Sequence, residues 1–389
     1  MTEGTALLAL ARVLLDDARE VARDSHIPAV QTDLAVGLWE WERVTGEDVA
    51  AADQFAQAWE LALTEHPPRP WLYGGVAELG WLAHRLSARG MIDPVRTDAL
   101  DQYILGTIST YPPDQDIDVV RGVVGLGVYG LAHTDPAMRE LISGAVLDVV
   151  DSRIEWEGDG CFVRASDPIR DVIGTPVRTG DRDLGTAHGN AGLAAYLGMA
   201  AAAGPDRERA QRMLTPLLRW LVRQARWDGP GAFWAAAERR GGGGAGAWCY
   251  GDPGVAMALH TAAGGLPRDT LRENVDKCAA RVAKGVLARA TERAGVRDCC
   301  LCHGAAGLGY FGGRCGELFG LDGGSYASEW RQYIESARAD GPLWYFDDHG
   351  KHRNSGFLQG DVGVMLSLLY AVHPEGTLWD ELLLARAAA

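Results

Sequence analysis

Three short segments of this 389-residue chain carry metal-ligand residues in the same place, immediately ahead of a glycine. They read AHG at His188, WCYG at Cys249 and LCHG at Cys302 and His303. Two thiolates and an imidazole suit zinc, and three protein ligands leave the fourth tetrahedral position open, the mark of a catalytic centre. A structural zinc is normally closed by a fourth side chain and shows paired local spacing. The interval from Cys249 to Cys302 is wrong for a ribbon or a finger. Cys299 and Cys302 also satisfy C-x-x-C within CCLC, but only Cys302 stands in register with the other segments. Cys299 and Cys300 are therefore read as packing or bystander thiols, and Cys161, Cys278 and Cys315 as buried or incidental ones.

His188 occupies the register of the metal ligands without belonging to their set. It is a second titratable group beside the metal, suited to proton transfer. Asp118, in IDVVRG, stands at a comparable place. A helix N-cap and a functional carboxylate are both open readings for it.

The elements that position these residues are helical repeats. Gly-x-x-Gly followed by apolar residues recurs as GVVGLGVYGL from Gly122, GNAGLAAYL from Gly189, GDPGVAMAL from Gly251, GAAGLGYF from Gly304 and GDVGVMLSLL from Gly360. A weaker copy, GVAELGWL from Gly75, has Glu78 in place of the second glycine. The copies lie 47 to 67 residues apart, room for two helices and their connections. The segments after each motif are small and apolar all round, as buried helices are. Those between, such as Arg207–Gln224 and Leu271–Ala290, have one charged face. Alternating inner and outer helices predict an all-α chain, an α/α barrel (toroid) of six to seven helical-hairpin repeats with little sheet. The expected domain is single and spans 1–389, with helices in 1–70 completing the ring and repeats over 71–389. The glycines are expected to let backbones approach closely near the barrel axis. Residues that precede equivalent glycines then converge on one end of the barrel.

Composition narrows the partners. A formal charge of −15, from 52 acidic and 37 basic residues, is unfavourable for sequence-independent binding to nucleic acid or an anionic membrane. The apolar start lacks a basic region and runs into Asp16 and Asp17, as an amphipathic helix does and a secretion signal does not. No apolar stretch is long enough to span a bilayer. Seven cysteines, an odd number, fit a reducing compartment, and a cytoplasmic protein is expected.

GTAHGNAGL, AWCYGDPGVAMAL, LCHGAAGLGYF and FLQGDVGVMLSLL, with LYGGVAELGWL near the start, resemble the lanthionine synthetase C-like cyclases over residues 70 to 370. The pairing of WCYG with a later CHG is the specific part of that resemblance. It implies an α/α barrel with zinc on Cys249, Cys302 and His303, and His188 as an acid/base residue. It also implies a role for Asp118 as the acidic residue ahead of the second repeat, and one for Tyr250 as the motif tyrosine beside the metal. The implied substrate is a ribosomal precursor peptide whose Ser or Thr residues have been dehydrated. Its cysteine thiols add to the dehydrated residues and close thioether rings.

Chemically this is sensible, because a free thiol with pKa about 8.5 is mostly protonated at neutral pH and coordination deprotonates it. Attack at the β-carbon leaves an enolate that needs a proton at Cα. His188 is the first candidate donor, and water at the metal the second. At one point the chain departs from the family pattern: the arginine often found four residues before the motif cysteine is here Ala245, behind Gly241–Gly244 and Arg239–Arg240. That leaves the stabilising partner of the enolate unassigned. The polar segment Glu155–Asp183 is read either as a border of the peptide site or as a plain surface insertion. No dehydratase or kinase region is recognised, so a separate dehydrating enzyme is expected.

Other readings stand beside this one. A LanC-like enzyme adding glutathione to dehydrated residues shares the core motifs. A non-catalytic scaffold with structural zinc would bind a modified peptide or a dehydratase. A prenyltransferase β-like barrel would use Asp, Cys and His ligands, and a carbohydrate-active barrel needs a carboxylate pair that does not stand out.

Overall fold

The computed structural model describes residues 2–65, 67–166, 177–228, 231–238, 246–289, 295–347 and 350–386. Among them are fourteen α-helices of two kinds. Helices α2 (Pro28–Thr45), α4 (Val76–Ala88), α6 (Val123–Ala132), α8 (Asn190–Ala203), α10 (Asp252–Gly264), α12 (Ala305–Phe319) and α14 (Asp361–Val372) are buried along most of their length. Their partners are α1 (Glu3–Ala22), α3 (Ala51–Thr64), α5 (Asp98–Ser109), α7 (Pro136–Arg153), α9 (Arg207–Val222), α11 (Thr270–Leu287) and α13 (Gly324–Ala339). In α5, for example, only Asp101, Ile104 and Ile108 are buried, a single stripe at helical spacing.

The helices fall into two compact units. The first comprises Met1–Pro68, Gly246–Trp248 and Val286–Trp379. In it α1 packs on α14 and α2, α2 on α3 and α14, and α12 on α13 and α14. The second comprises Arg69–Ala245, Cys249–Gly285 and Asp380–Ala389. There α6 packs on α4, α7 and α8, and α8 on α9 and α10. The tail returns into this second unit. Trp81 Nε1 donates to Glu381 (3.2 Å), Arg85 pairs with Glu381 (2.6 Å), and Thr261 Oγ1 donates to the Leu384 carbonyl (2.8 Å).

The little sheet present is three antiparallel hairpins of three-residue strands, β1–β2 (Glu155–Glu157, Gly160–Phe162), β3–β4 (Arg226–Asp228, Gly231–Phe233) and β5–β6 (Tyr345–Asp347, Gly350–His352). Each is tied to the first residue of the next buried helix. Asn190 Oδ1 accepts from Val163 N–H (2.9 Å), Asp252 Oδ1 from Trp234 N–H (2.7 Å) and Asp361 Oδ1 from the Tyr345 hydroxyl (2.7 Å).

The buried helices begin in a way that explains both motif glycines. Helices α1, α7 and α9 have side-chain caps from Thr2, Asp135 and Asp206, whereas α4, α6, α8, α10, α12 and α14 each begin at a glycine with no side-chain cap. In α4, α6, α8, α12 and α14 the first N–H groups donate instead to the loop seven residues back. In α12, Ala305, Ala306 and Gly307 donate to the carbonyls of Asp298, Cys299 and Cys300. In α14, Asp361, Val362 and Gly363 donate to Asn354, Ser355 and Gly356. Helices α6 and α8 repeat the pattern with Gly125 to Asp118 and Gly192 to Gly185. The loop thus lies over the helix N-terminus and pairs donors that would otherwise be buried and orphaned.

A Cβ on the second glycine would strike the carbonyl six residues back, Val119 for Gly125, Thr186 for Gly192, Leu301 for Gly307 and Phe357 for Gly363. The first glycine is blocked in the same way by the amide four residues back in α6, α8, α12 and α14. The close approach expected at these glycines is therefore chiefly that of each loop to its own helix.

We expect Gly192→Ala and Gly363→Ala to destabilise the protein by about 2 kcal/mol or more, because backbone must move to admit the methyl. Gly144, inside α7, meets nothing within 4 Å, and its replacement by Ala should stabilise by about 0.5–1 kcal/mol. Denaturant midpoints of the three variants check this.

Candidate metal centre and its acid–base neighbours

The loops that lie over the helix N-termini are hydrogen-bonded to one another. In the second unit Val119 N–H donates to the Ala187 carbonyl (3.2 Å), and Thr186 and Ala187 N–H donate to the Cys249 carbonyl (2.9 and 3.3 Å). In the first unit Trp248 N–H donates to the Cys302 carbonyl (2.8 Å), and Cys302 N–H to the Leu358 carbonyl (2.9 Å). Trp248 and Cys249 share a peptide bond, so the last carbonyl of one run and the first amide of the other are one residue apart in the chain.

Burial sorts the seven cysteines. Cys249 and Cys302 keep 8% and 6% of their surface exposed, while the other five keep 3% or less. Burial pushes the thiols of Cys161, Cys278, Cys299 and Cys315 up to about 12. His303 directly follows Cys302, and a ring nitrogen of the one lies within 4.8 Å of the sulfur of the other. Cys300 is fully buried, and its sulfur accepts the His303 N–H (3.4 Å). Asp298, Cys300 and His303 also bring donor atoms within 4.8 Å of one another. The Asp298 carboxylate, however, is taken by Cys300 N–H (2.9 Å) and Phe346 N–H (3.2 Å), which shape the loop.

His188 and Tyr250 meet in the second unit as stacked rings, 5.9 Å between centroids. His188 Nδ1 is bonded to Asp118 Oδ2. Burial works to lower the His188 pKa, but the charge and hydrogen bond of Asp118 outweigh it and lift the imidazole above its ordinary value. Asp118 is not the N-cap of α6, which is Gly122; its Oδ1 accepts Arg121 N–H (2.6 Å) while Oδ2 orients His188. Tyr250 donates its hydroxyl to Asp183 Oδ2 (2.7 Å), and burial followed by the Asp183 charge pushes it far above the ordinary tyrosine range. It acts as a fixed donor.

Asp183 is the residue that sequence reasoning missed. It is buried, its Oδ1 accepts Gly185 N–H (2.6 Å), and burial raises its carboxyl to about 7. A signal existed: Asp183 stands six residues before Gly189, as Asp298 stands six before Gly304 and Asp116 six before Gly122. Asp183 also closes the segment Glu155–Asp183, whose central residues 167–176 lie outside the described ones, as do Arg239, Arg240, Gly241–Gly244 and Ala245.

Replacing Asp118 by Asn should return the His188 pKa to a lower value, read from the pH dependence of its ring resonances. Because the folded pKa is raised, the His188–Asp118 pair stabilises the fold fully below the unfolded value of about 6.5, and this is lost as pH rises through the folded pKa. Wild-type stability should therefore fall across that window relative to Asp118→Asn.

Comparison with known proteins follows the same lines. The family model for lanthionine synthetase C-like protein matches residues 34–384. No curated protein sequence matches. Among solved structures, nisin cyclase superposes with a TM-score of 0.70, covering 96% of this chain and 96% of its own, at 18% identity. That likeness gives the fold, a helical toroid, as the repeats require. Among the described residues no helix is long and apolar enough to cross a membrane. With the family model running over most of its length, the chain belongs to the lanthionine synthetase C-like family.

Proposed function

We propose that this protein is a zinc-dependent lanthipeptide cyclase, joining precursor-peptide cysteines to dehydroalanine or dehydrobutyrine as thioether rings. The observation that carries the reading is the run of bonded loops. Cys249 is the residue after Trp248, whose amide holds the carbonyl of Cys302, and Cys302 and His303 already bring a sulfur and an imidazole together. Family membership and the relatedness in fold to nisin cyclase support the reaction class. The donor chemistry suits the metal: the two least buried thiols in the chain and one imidazole, while the other histidine in the repeat register, His188, is bonded to Asp118.

Cys249, Cys302 and His303 would hold the zinc, and the metal when bound supplies the Lewis acidity that keeps an incoming cysteine sulfur as thiolate. Both cysteines lie just ahead of a helix N-terminus, where the partial positive charge favours a thiolate. In the ring-closing step the peptide sulfur bonds to the β-carbon, the Cα=Cβ π bond breaks, and its electrons move to the carbonyl as an enolate. His188, whose Nδ1 is held by Asp118, presents Nε2 as the atom that delivers a proton to Cα. The proton lost by the thiol restores the imidazolium, so the reaction is an isomerisation of the peptide. Tyr250 and Asp183 are positioning residues: the phenol, fixed by the carboxyl, stacks on the His188 ring. Dehydration is assigned to a separate enzyme, and the cytoplasm is the proposed setting.

Elemental analysis of wild type, Cys249→Ala and Cys302→Ala should show one equivalent of zinc fewer in each variant. His188→Asn should keep its zinc and bind dehydrated peptide, yet close rings on the order of 10²–10⁴-fold more slowly. A zinc content equal to wild type in both cysteine variants would sink the cyclase mechanism. Mass spectra showing glutathione adducts in place of rings would move the assignment to intermolecular thiol addition.

A further inference from the structure

A second cluster of metal-ligand side chains lies in the second unit and plays no part in the chemistry above. His84 comes from the last turns of α4, Asp101 from the start of α5, and His133 is the C-cap of α6. Asp118 precedes the other end of α6, a helix of ten residues and so about 15 Å long, which separates this cluster from the acid–base group. All three side chains are buried, with 3–5% of their surface exposed, and one donor atom from each lies within 4.8 Å of the others.

The geometry points to a binding site for one divalent transition-metal ion of the zinc class, held by His84 Nε2, His133 Nε2 and Asp101 Oδ1. His133 Nε2 and Asp101 Oδ1 are 3.3 Å apart. That is the edge of a tetrahedron about an ion with bonds of about 2.0–2.1 Å, the usual zinc distances. The two imidazoles stand side by side with ring centroids 3.9 Å apart, so that sharing one tetrahedral ion requires them to part to about 5 Å. Each ring has an outer partner for its other nitrogen, as ligating histidines require. His84 Nδ1 faces Thr134 Oγ1 at 3.1 Å, and His133 Nδ1 faces the Asp135 carbonyl at 3.3 Å. With the protons on Nδ1, His133 Nε2 turns to the carboxylate, and His84 Nε2 lies 3.4 Å from the Tyr129 hydroxyl that donates to the same carboxylate oxygen. The carboxylate is itself held, Oδ2 by the Thr97 hydroxyl (2.9 Å) and Oδ1 by the Tyr129 hydroxyl.

Without an ion the cluster has a second arrangement. Asp135 N–H donates to His133 Nδ1 (3.0 Å), which leaves the proton on Nε2 to bond Asp101. Binding then needs a shift of that proton to Nδ1, with the Asp135 and Thr134 amides giving up their bonds to His133 and His84 Nδ1. Arg85 is spent on Glu381 and Arg139 on the His133 carbonyl (2.6 and 3.0 Å), so neither is directed at Asp101. A buried carboxylate between two imidazoles is better compensated by a cation than by neutral rings. Burial, then the neighbouring His133, holds His84 down to about 4, so its ring stays unprotonated and able to ligate. The exposed Thr134–Asp135 turn covers the cluster and offers the way in.

The test uses cobalt(II) on the variant Cys249→Ala/Cys302→Ala/His303→Ala, which lacks the proposed catalytic ligands. One equivalent of cobalt should bind with visible d–d absorption and no near-ultraviolet thiolate charge-transfer band, as expected of N/O ligands. In the same background His84→Gln, Asp101→Asn and His133→Gln should each abolish binding. Where a variant fails to fold by circular dichroism, the parent chain decides: the ring resonances of His84 and His133 should shift paramagnetically on adding cobalt. No cobalt bound by the parent, cobalt retained by both histidine variants, or unshifted His84 and His133 resonances would overturn the site. None of these outcomes bears on the cyclase reading, which has its own ligands and readout.

Discussion

The proposed catalytic residues of this molecule depend on one backbone arrangement, the loop that doubles back over the N-terminus of a buried helix. A buried helix start carries donors that water cannot reach, and each one left unpaired costs about 1–3 kcal/mol. In α12 and α14 three successive donors are satisfied by carbonyls seven residues earlier. The arrangement needs two glycines, since a side chain at either position collides with the returning loop. Side-chain capping would be sterically simpler, and α1, α7 and α9 use it. It would leave the loop free to wander, whereas the doubled-back loop has its conformation fixed over seven residues.

A loop fixed in this way holds whatever side chain precedes the glycine. His188, Cys302 and His303 occupy that stretch, and Cys249 and Tyr250 the matching place before α10, where Thr186 and Ala187 N–H hold the Cys249 carbonyl. The same packing removes water from the carboxylates beneath. Asp183 in one unit and Asp361 in the other are both raised to about 7 by burial, and each accepts from a tyrosine hydroxyl at 2.7 Å. With folded pKa values above the unfolded ones, their contribution is greatest in acid and is lost as pH rises through about 7. That loss is the energetic cost of keeping Tyr250 locked beneath the His188 ring.

How much of this was legible depended on what repeats. The buried helices were readable because the two glycines impose the same pattern each time, and the proposed ligands follow from that same register. Tyr250 was legible only through the family resemblance, since nothing in WCYG says where a phenol will point. Asp183 was hidden among ordinary loop aspartates, although its distance from Gly189 repeats at Asp298 and Gly304. The hairpins escaped because strands of three residues are too short to show an alternating pattern. For Asp118 the sequence left a cap and a functional carboxylate open. The side chain serves a turn and a histidine at once, with one oxygen for each.

The His84, Asp101 and His133 cluster was illegible for a related reason. Two of its members, His84 and His133, stand at helix C-termini, where the repeat imposes no shared motif, and the third, Asp101, comes from the first turn of an outer helix. A buried helix of this architecture is constrained at its start by backbone and is free at its end. Chemistry that every repeat must support gathers at the constrained end, where equivalent positions recur. An arrangement peculiar to one pair of repeats has to be built at the other. In α6 the two ends are occupied in just this way, Asp118 before its first turn and His133 after its last. A helix of ten residues between them would keep the proposed thiol-activating chemistry apart from the proposed site of nitrogen and oxygen ligands, so that each could favour its own donors.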